Sequence, residues 1–445
     1  MGLVSNPKYG VKTQLIARFP QAFFRAESLV DAREKMGVKR ADTVLSLDGT
    51  VLAHQLGTAR TYAECKDVLF ATLANAGCTA QSVFVAYDEP ASVTSAKANE
   101  QTRRDTAHQV TADQWTRGDA YAEEELRTAA NIRPIMDTRL SRLRAIDQMA
   151  LDALNHIAKP EELASYAAQR LAGAFADSEL VFDGIDPRGA GRRLDEERVA
   201  QIVSGNPVLQ TRRRGRAVGE ADLKLSLLLR TTSAMQLAIV VTVDSDAFCI
   251  ELLERARQLG GLVEPPSARI VCMRTAAKRD VVGNIVEDSH YLCVNVGALF
   301  DALQQHYAAA DERAQRRGTF LFAAGMALCG CDFTRLKGLR PDVVLDCLPT
   351  VVSAPSTNAS ACACAWDGGV EDVRGMLGDL RMLTVACATR LWDMPRMRRQ
   401  SGEVRNVNDE TLMQAAWVGA YWCANELPPG DFHFGSTASS ICSDV

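Results

Sequence analysis

Residues 239–248 read IVVTVDSDAF, an apolar run followed by two carboxylates that are separated by one residue. Branched apolar residues in a short run are typical of a buried strand, and Asp-Ser-Asp is typical of the turn that follows one. If the chain stays extended past the strand, Asp244 and Asp246 point to the same side, because strand side chains alternate with period two. Two like charges side by side repel, so this arrangement favours a cation between them. An ordinary surface turn is the alternative that this stretch alone leaves open.

Two other apolar runs end in the same way. TVLSLD ends at Asp48, and SVFVAYD ends at Asp88. Continuous apolar strands that alternate with helical segments predict an α/β fold with a central, mainly parallel sheet flanked by helices. Ligands of such sheets bind beyond the carboxyl ends of the strands. The three runs therefore predict an acidic cluster at one edge of the sheet.

Three further carboxylates lie where helices begin or end. VGEADLKLSLLL places Glu220 and Asp222 just ahead of an apolar helical run. Residues two apart do not share a helix face, so we expect them in the entry turn, where acidic side chains also suit the helix dipole. Asp332 follows the hydrophobic helix of FLFAAGMALCGCDFTRLKGLRP. Plain capping and an ordinary helix end are the alternatives for these positions.

The composition describes an ordinary globular protein large enough for two lobes. Of its 445 residues 47% are hydrophobic and 24% charged, and no apolar run approaches the roughly 20 residues that span a bilayer. We therefore expect no membrane association. The net charge of −5 excludes a globally basic surface but is compatible with a local basic groove. Thirteen cysteines without paired C-x-x-C knuckles, and only six histidines, disfavour structural zinc and favour reduced thiols.

Taken in order, these motifs resemble the structure-specific 5′-nuclease superfamily, the flap endonuclease, XPG and Xrn group with its PIN-like fold. That family opens with Met-Gly, as this chain does, and carries metal-binding carboxylates at these strand and helix ends. The matching positions are Asp48, Asp88, Glu220, Asp222, Asp244, Asp246 and Asp332. The resemblance implies two Mg²⁺ ions, for which Mn²⁺ can substitute. Carboxylates suit hard cations of this kind better than His or Cys do.

The resemblance also implies residues that contact the substrate. In the family, basic residues after the second Asp reach the scissile phosphate, and a glycine-containing helix–two-turn–helix holds duplex phosphates. The positions that match are Lys97, Arg103 and Arg104 for the first role, and Gly2, Lys337, Gly338 and Arg340 for nucleic-acid binding. The TRRRGR cluster at 211–216 is a second phosphate contact, a solvated loop or a nuclear import signal.

The resemblance divides the chain into three parts. These are a nuclease core at 1–320 with a helical arch insertion around 89–180, a helix–two-turn–helix at 321–350, and a C-terminal extension of unknown role at 351–445. The intervals from Asp88 to Glu220 and from Asp246 to Asp332 are longer than in minimal flap endonucleases. These insertions suit a divergent member of the family, such as a viral one, and leave flap threading open. No sliding-clamp-binding box is recognisable in the chain.

The function implied by the resemblance is Mg²⁺-dependent hydrolysis of phosphodiester bonds in DNA flaps, ends or gaps, during replication, repair or recombination. The expected partner is DNA with 5′ flaps or ends, and the expected location is intracellular, in the nucleus or at a viral replication site. Three alternatives stay open: an Xrn-like 5′–3′ RNA exonuclease, a catalytically retired nucleic-acid-binding scaffold, and an α/β protein with coincidental acidic turns.

Overall fold

One large mixed sheet, flanked by helices, organises the chain. The computed structural model describes residues 10–49, 51–52, 62–86, 179–183, 196–203, 206–213, 221–230, 235–259, 268–275, 278–279, 285–331, 336, 339–354 and 370–424. Its strands are β1 (Phe23–Ala26), β2 (Thr43–Asp48), β3 (Ser82–Ala86), β4 (Glu179–Asp183), β5 (Glu196–Val203), β6 (Asn206–Arg213), β7 (Leu237–Val241), β8 (Ala268–Thr275), β9 (Lys278–Arg279), β10 (Ile285–Glu287) and β11 (His290–Asn295).

Helices precede, connect and follow these strands. They are α1 (Val11–Arg18), α2 (Leu29–Lys35), α3 (Tyr62–Thr79), α4 (Ala221–Arg230), α5 (Asp246–Leu259), α6 (Val296–Tyr307), α7 (Glu312–Cys329), α8 (Pro341–Ser353), α9 (Val370–Trp392), α10 (Arg398–Arg405) and α11 (Asp409–Ala424). Among the described residues, no helix combines the length and the apolar character that crossing a bilayer requires.

The sheet has a parallel centre and antiparallel borders. Its strand order is β1–β11–β8–β7–β2–β3–β4–β5–β6, and the five strands from β8 to β4 run parallel to one another. The outer strands pair antiparallel on both sides, and β9 and β10 form a separate ribbon. The parallel centre agrees with the α/β architecture that the apolar runs predict. The first three residues of the TRRRGR cluster, 211–213, belong to strand β6 and are therefore not part of a loop.

The central strands are apolar on both faces because both faces are covered. Every residue of β2, β3 and β7 is buried, so these strands show no alternation of polar and apolar side chains. Helix α4 packs against β2 and β3 on one side of the site described below. The register of β2 and β7 pairs Leu47 with Val241, so Asp48 and Thr242 follow as neighbours at the carboxyl ends of the two strands.

The C-terminal helices belong to the same hydrophobic core as the sheet. Buried residues of α9 and α11, such as Leu380 and Trp417, share one cluster with Val240 of β7. Helix α7 lies at the centre of this helical layer and packs against α5, α8, α9 and α11. The approach of α7 to α8 and α9 is close, because a Cβ at Gly325 would lie 2.8 Å from a Val344 methyl group and 3.1 Å from a Leu383 one.

A buried ion pair joins three of these helices. Arg317 of α7 forms two parallel hydrogen bonds of 2.7 Å to the carboxylate of Asp379 on α9. The same guanidinium donates to the backbone oxygens of Val352 and Ala354, at the end of α8, at 3.1 and 2.8 Å. Both charged side chains are almost fully buried, with 6% and 1% of their surface exposed. The geometry satisfies the charge of Asp379 inside the core, where an unpaired carboxylate would be costly.

Candidate functional site

Asp48 lies at the carboxyl end of a central strand. It is the last residue of β2, between β3 and β7, and only 2% of its surface is exposed. Two residues earlier, the Ser46 hydroxyl lies 3.5 Å from the backbone oxygen of Leu225 on α4. The sequence predicted this strand and its end, and the structure confirms both. Asp48 thus occupies the position at which ligands of parallel sheets bind.

Thr242 joins three acidic segments at this edge. Its Oγ1 lies 3.1 Å from Oδ1 of Asp222 and 3.4 Å from Oδ2 of Asp48, and it accepts a hydrogen bond of 3.1 Å from the backbone N–H of Asp244. A hydroxyl group has one proton, so it donates to one of the two carboxylates at a time. Thr242 itself is fully buried. One buried hydroxyl thus holds together the ends of β2 and β7 and the start of α4.

Asp222 lies in the first turn of α4, as the sequence predicts. Two causes favour it there: an acidic side chain suits the positive end of the helix dipole, and its carboxylate accepts from Thr242. Asp222 is 20 residues from Thr242 in sequence, whereas Asp48 is 194 residues away. The fold thus brings together carboxylates from distant parts of the chain.

Asp244 and Asp246 do not continue a strand. β7 ends at Val241, and Asp246 is the first residue of α5. The condition under which both carboxylates would point to one side, an extended chain past the strand, is therefore not met, because the backbone turns between them. Asp244 is held in this turn through its own N–H, and both residues are partly exposed. The two carboxylates follow the carboxyl end of β7, but they belong to a turn and to a helix start.

The end of α7 lies near the start of α5. Burial raises the pKa of the Cys249 thiol well above its usual value, and the neighbouring acidic groups of Asp246, Cys331 and Cys329 raise it further. Cys249 is one turn into α5, whereas Cys329 is the last residue of α7 and Cys331 follows it by two residues. The chain then folds back, since the Leu336 N–H donates to the Leu328 oxygen at 2.7 Å. The described end of α7 therefore lies close to the start of α5, which carries Asp246.

Arg340, expected to bind nucleic acid, lies at the start of α8. Its guanidinium pairs with the carboxylate of Asp342 in the first turn of that helix, with one hydrogen bond of 2.9 Å from Nε. The Arg340 side chain keeps 23% of its surface exposed. A phosphate at this position would compete with Asp342 for the guanidinium.

The other nine predicted site residues all lie outside the described residues. These are Gly2, Asp88, Lys97, Arg103, Arg104, Glu220, Asp332, Lys337 and Gly338. Within the described part of the chain, no three His, Cys, Asp or Glu side chains are grouped closely enough to hold a metal ion. Three of the seven expected carboxylates lie outside that part. Of the seven, this finding therefore covers only Asp48, Asp222, Asp244 and Asp246.

Thr242 is the site residue to which sequence reasoning assigned no role. The signal available was its position directly after a buried apolar run and two residues before Asp244. A threonine there is also an ordinary strand residue, and only the register of β2 and β7 reveals that its hydroxyl meets two carboxylates. No protein-family model matches the chain, and a search of curated proteins finds no match.

Proposed function

We propose that this chain is a Mg²⁺-dependent 5′-nuclease of the flap endonuclease type with a PIN-like core, acting on DNA flaps, ends or gaps. The observation that carries the proposal is the meeting of Asp48, Asp222 and the Asp244 backbone at one buried hydroxyl, beyond the carboxyl ends of parallel strands. Carboxylates gathered at such an edge repel one another unless a cation compensates them. The order of acidic motifs along the chain supports the same function.

The residues present fit magnesium. The described side chains that meet at the edge offer only oxygen atoms, from carboxylates and a hydroxyl group, and oxygen ligands suit Mg²⁺ better than nitrogen or sulfur. Asp48 and Asp222 would hold the metal, with Asp244, Asp246 and the expected carboxylates outside the described residues. When bound, Mg²⁺ supplies Lewis-acid stabilisation of the charge that develops on the attacking and leaving oxygens of a phosphodiester.

The chain's own residues have separate parts in this proposal. Thr242 orients the carboxylates of Asp48 and Asp222, as outer partners of metal ligands commonly do. Burial of Asp48 keeps its side chain in one place before substrate arrives. Arg340 and Lys337 bind phosphates of the duplex. Lys97, Arg103 and Arg104 contact the scissile phosphate.

Replacing Thr242 with valine tests its orienting part. Valine keeps the shape of threonine and removes the hydroxyl, so both carboxylates lose their shared partner. We expect Thr242→Val to lower the single-turnover rate by about 10–100-fold, the usual cost of losing an outer partner of a metal ligand. Thr242→Ser retains the hydroxyl and should stay within about threefold of wild type, since its loss is only one buried methyl group. Equal rates for the two variants would contradict the assignment.

The proposed activity itself is tested with three labelled substrates. Purified protein is incubated with 5′-flap DNA, with blunt duplex DNA and with 5′-monophosphorylated RNA, each with Mg²⁺ or with EDTA. We expect cleavage of the flap substrate with Mg²⁺ and none with EDTA. Degradation of the RNA alone would favour the exonuclease alternative. Absence of cleavage on all three substrates, with Mn²⁺ as well as Mg²⁺, would overturn the proposal.

A further inference from the structure

A cluster of arginines surrounds an exposed tryptophan near the C-terminal helices. Between residues 390 and 405 the chain carries five arginines and only two acidic residues, whereas the whole protein has a net charge of −5. The basic patch is defined here as Arg390, Trp392, Arg396, Arg398, Arg399 and Arg405. Each of these six residues is exposed. A concentration of positive charge on an acidic protein marks a surface for an anionic partner.

Most arginines of the basic patch form no ion pair within the described residues. Arg390 lies 3.6 Å from Oδ2 of Asp346, whose Oδ1 pairs with Arg18 at 2.6 Å. Within the described part of the chain, no carboxylate lies within ion-pair distance of Arg396, Arg399 or Arg405. Their guanidinium groups are therefore available to phosphate oxygens, which they bind in a bidentate manner.

Helix α10 holds these side chains outward. Ser401 and Val404 are buried, and the Ser401 hydroxyl donates to the Ala388 oxygen of α9 at 2.6 Å. Arg398 and Arg405, seven residues apart, fall on the same side of the helix, and Arg399 lies on the adjoining exposed side. The helix is thus anchored by one face while its arginines face solvent.

Trp392 adds an aromatic surface to this charge. It ends α9 with 55% of its surface exposed, although a large indole ring normally contributes to a core. The Arg398 guanidinium lies 5.7 Å from the ring centroid, and its Nε donates to the Trp392 oxygen at 3.2 Å. This contact holds the ring in place but leaves more than half of the residue accessible. An exposed indole among arginines offers a stacking surface for an unpaired base.

We infer that the basic patch binds a single-stranded segment of nucleic acid, with phosphates on the arginines and a base on Trp392. The charge and the aromatic ring point to this occupant directly, and its relevance to catalysis rests on the proposed function. Duplex DNA would use the arginines but hides its bases from the indole. An acidic peptide would likewise leave the stacking surface without a specific role. An anionic membrane, at whose interface tryptophan is common, is the alternative that vesicle binding distinguishes.

The test measures binding in EDTA, so it does not depend on cleavage. A labelled oligothymidylate and a blunt duplex are titrated with full-length protein, and anisotropy is followed between about 50 and 200 mM salt. The combined variant Arg396→Ala, Arg399→Ala and Arg405→Ala should bind the single strand tenfold or more weakly. The slope of log affinity against log salt concentration should become shallower by about 2, since each of three lost single-strand phosphate contacts contributes about 0.7.

A matched variant controls for the change in net charge. Arg25→Ala, Lys39→Ala and Arg313→Ala together remove three exposed positive charges from other elements, and this variant should bind like wild type. Trp392→Ala should weaken single-strand binding about fivefold or more, and Trp392→Phe should restore most of it because it keeps a stacking surface. All these positions are exposed, and unchanged thermal midpoints would verify the fold.

Three results would overturn the inference. The first is equal single-strand binding by the basic-patch variant and the control variant. The second is a basic-patch variant that loses duplex binding alone. The third is a basic-patch variant that loses binding to phosphatidylserine vesicles while its oligonucleotide binding stays intact. Its failure is distinguishable from failure of the proposed function. A protein that cleaves DNA while the basic-patch variant binds normally retains the nuclease proposal only. One that binds oligothymidylate through the basic patch and cleaves nothing retains the inference only.

Discussion

Replacing Asp48 with asparagine is expected to lower the single-turnover rate of DNA cleavage by about 10²–10³-fold or more, the range seen when one preorganised charge-stabilising group is lost. Asparagine has the shape of aspartate and keeps an oxygen that can accept from Thr242, so the 2%-exposed site stays filled. It lacks the negative charge that a hard cation requires. Nucleic-acid binding in EDTA should be unchanged, because phosphate contacts elsewhere hold the substrate.

A second measurement separates loss of metal from loss of fold. Mg²⁺ should raise the thermal midpoint of the wild-type protein, because a ligand that binds only the folded state stabilises it, and Asp48→Asn should reduce this shift. Without metal, the variant should be at least as stable as wild type, because a buried charge near Asp222 has been removed.

Asp42→Asn is the matched control, since Asp42 lies just before the opposite end of the same strand. If Asp42→Asn cleaves at the wild-type rate while Asp48→Asn loses cleavage, the loss is specific to the carboxyl end of β2. Wild-type cleavage by Asp48→Asn would show that this carboxylate is not part of the catalytic site.

Asp379→Ala is expected to lower the free energy of unfolding by about 3–5 kcal/mol, the usual cost of removing one partner of a buried ion pair. The change leaves the Arg317 guanidinium in the core with its two backbone acceptors but without its counter-charge. Urea unfolding followed by circular dichroism measures the effect.

The control for this second prediction lies on the same helix. Arg381 of α9 pairs with Asp409 of α11, and both side chains are well exposed, at 47% and 62%. Asp409→Ala should therefore cost about 1 kcal/mol or less. A double variant, Arg317→Met with Asp379→Leu, should recover much of the lost stability, since apolar residues can replace a buried pair. Equal costs for Asp379→Ala and Asp409→Ala would contradict the structural importance of the buried pair.

The sequence predicted the central strands because they carry their own signal. β2, β3 and β7 are buried on both faces, so each appears as a short run rich in apolar residues without regular alternation. The hydrophobic helix α7 and the start of α4 were predicted for similar reasons. The antiparallel outer strands were not predicted, because β1 is four residues long and its pairing with β11 is decided by contacts distant in sequence.

The residues of the candidate site also differ in how far the local sequence determines their position. Asp48 and Asp222 were expected at strand and helix ends, where local sequence determines their position. Thr242 needed the register of two strands, which no local pattern contains. The C-terminal extension was separated at residue 351 because the resemblance ends there, and the resemblance carried no signal that α9 and α11 pack into the common core. Burial of that kind depends on which faces meet, and the sequence alone does not record it.

The position of β2 in the sheet also governs when the protein can fold during its synthesis. β2 leaves the ribosome early, yet its neighbour β7 comes much later, as the 194-residue interval between Asp48 and Thr242 illustrates. Until then, one side of β2 has unpaired backbone groups, a ready template for pairing with other chains. Contacts between such distant residues also slow folding, because a long loop must close first. Nascent chains that stop before β7 should therefore depend on chaperones, and fragments ending there should aggregate when expressed alone.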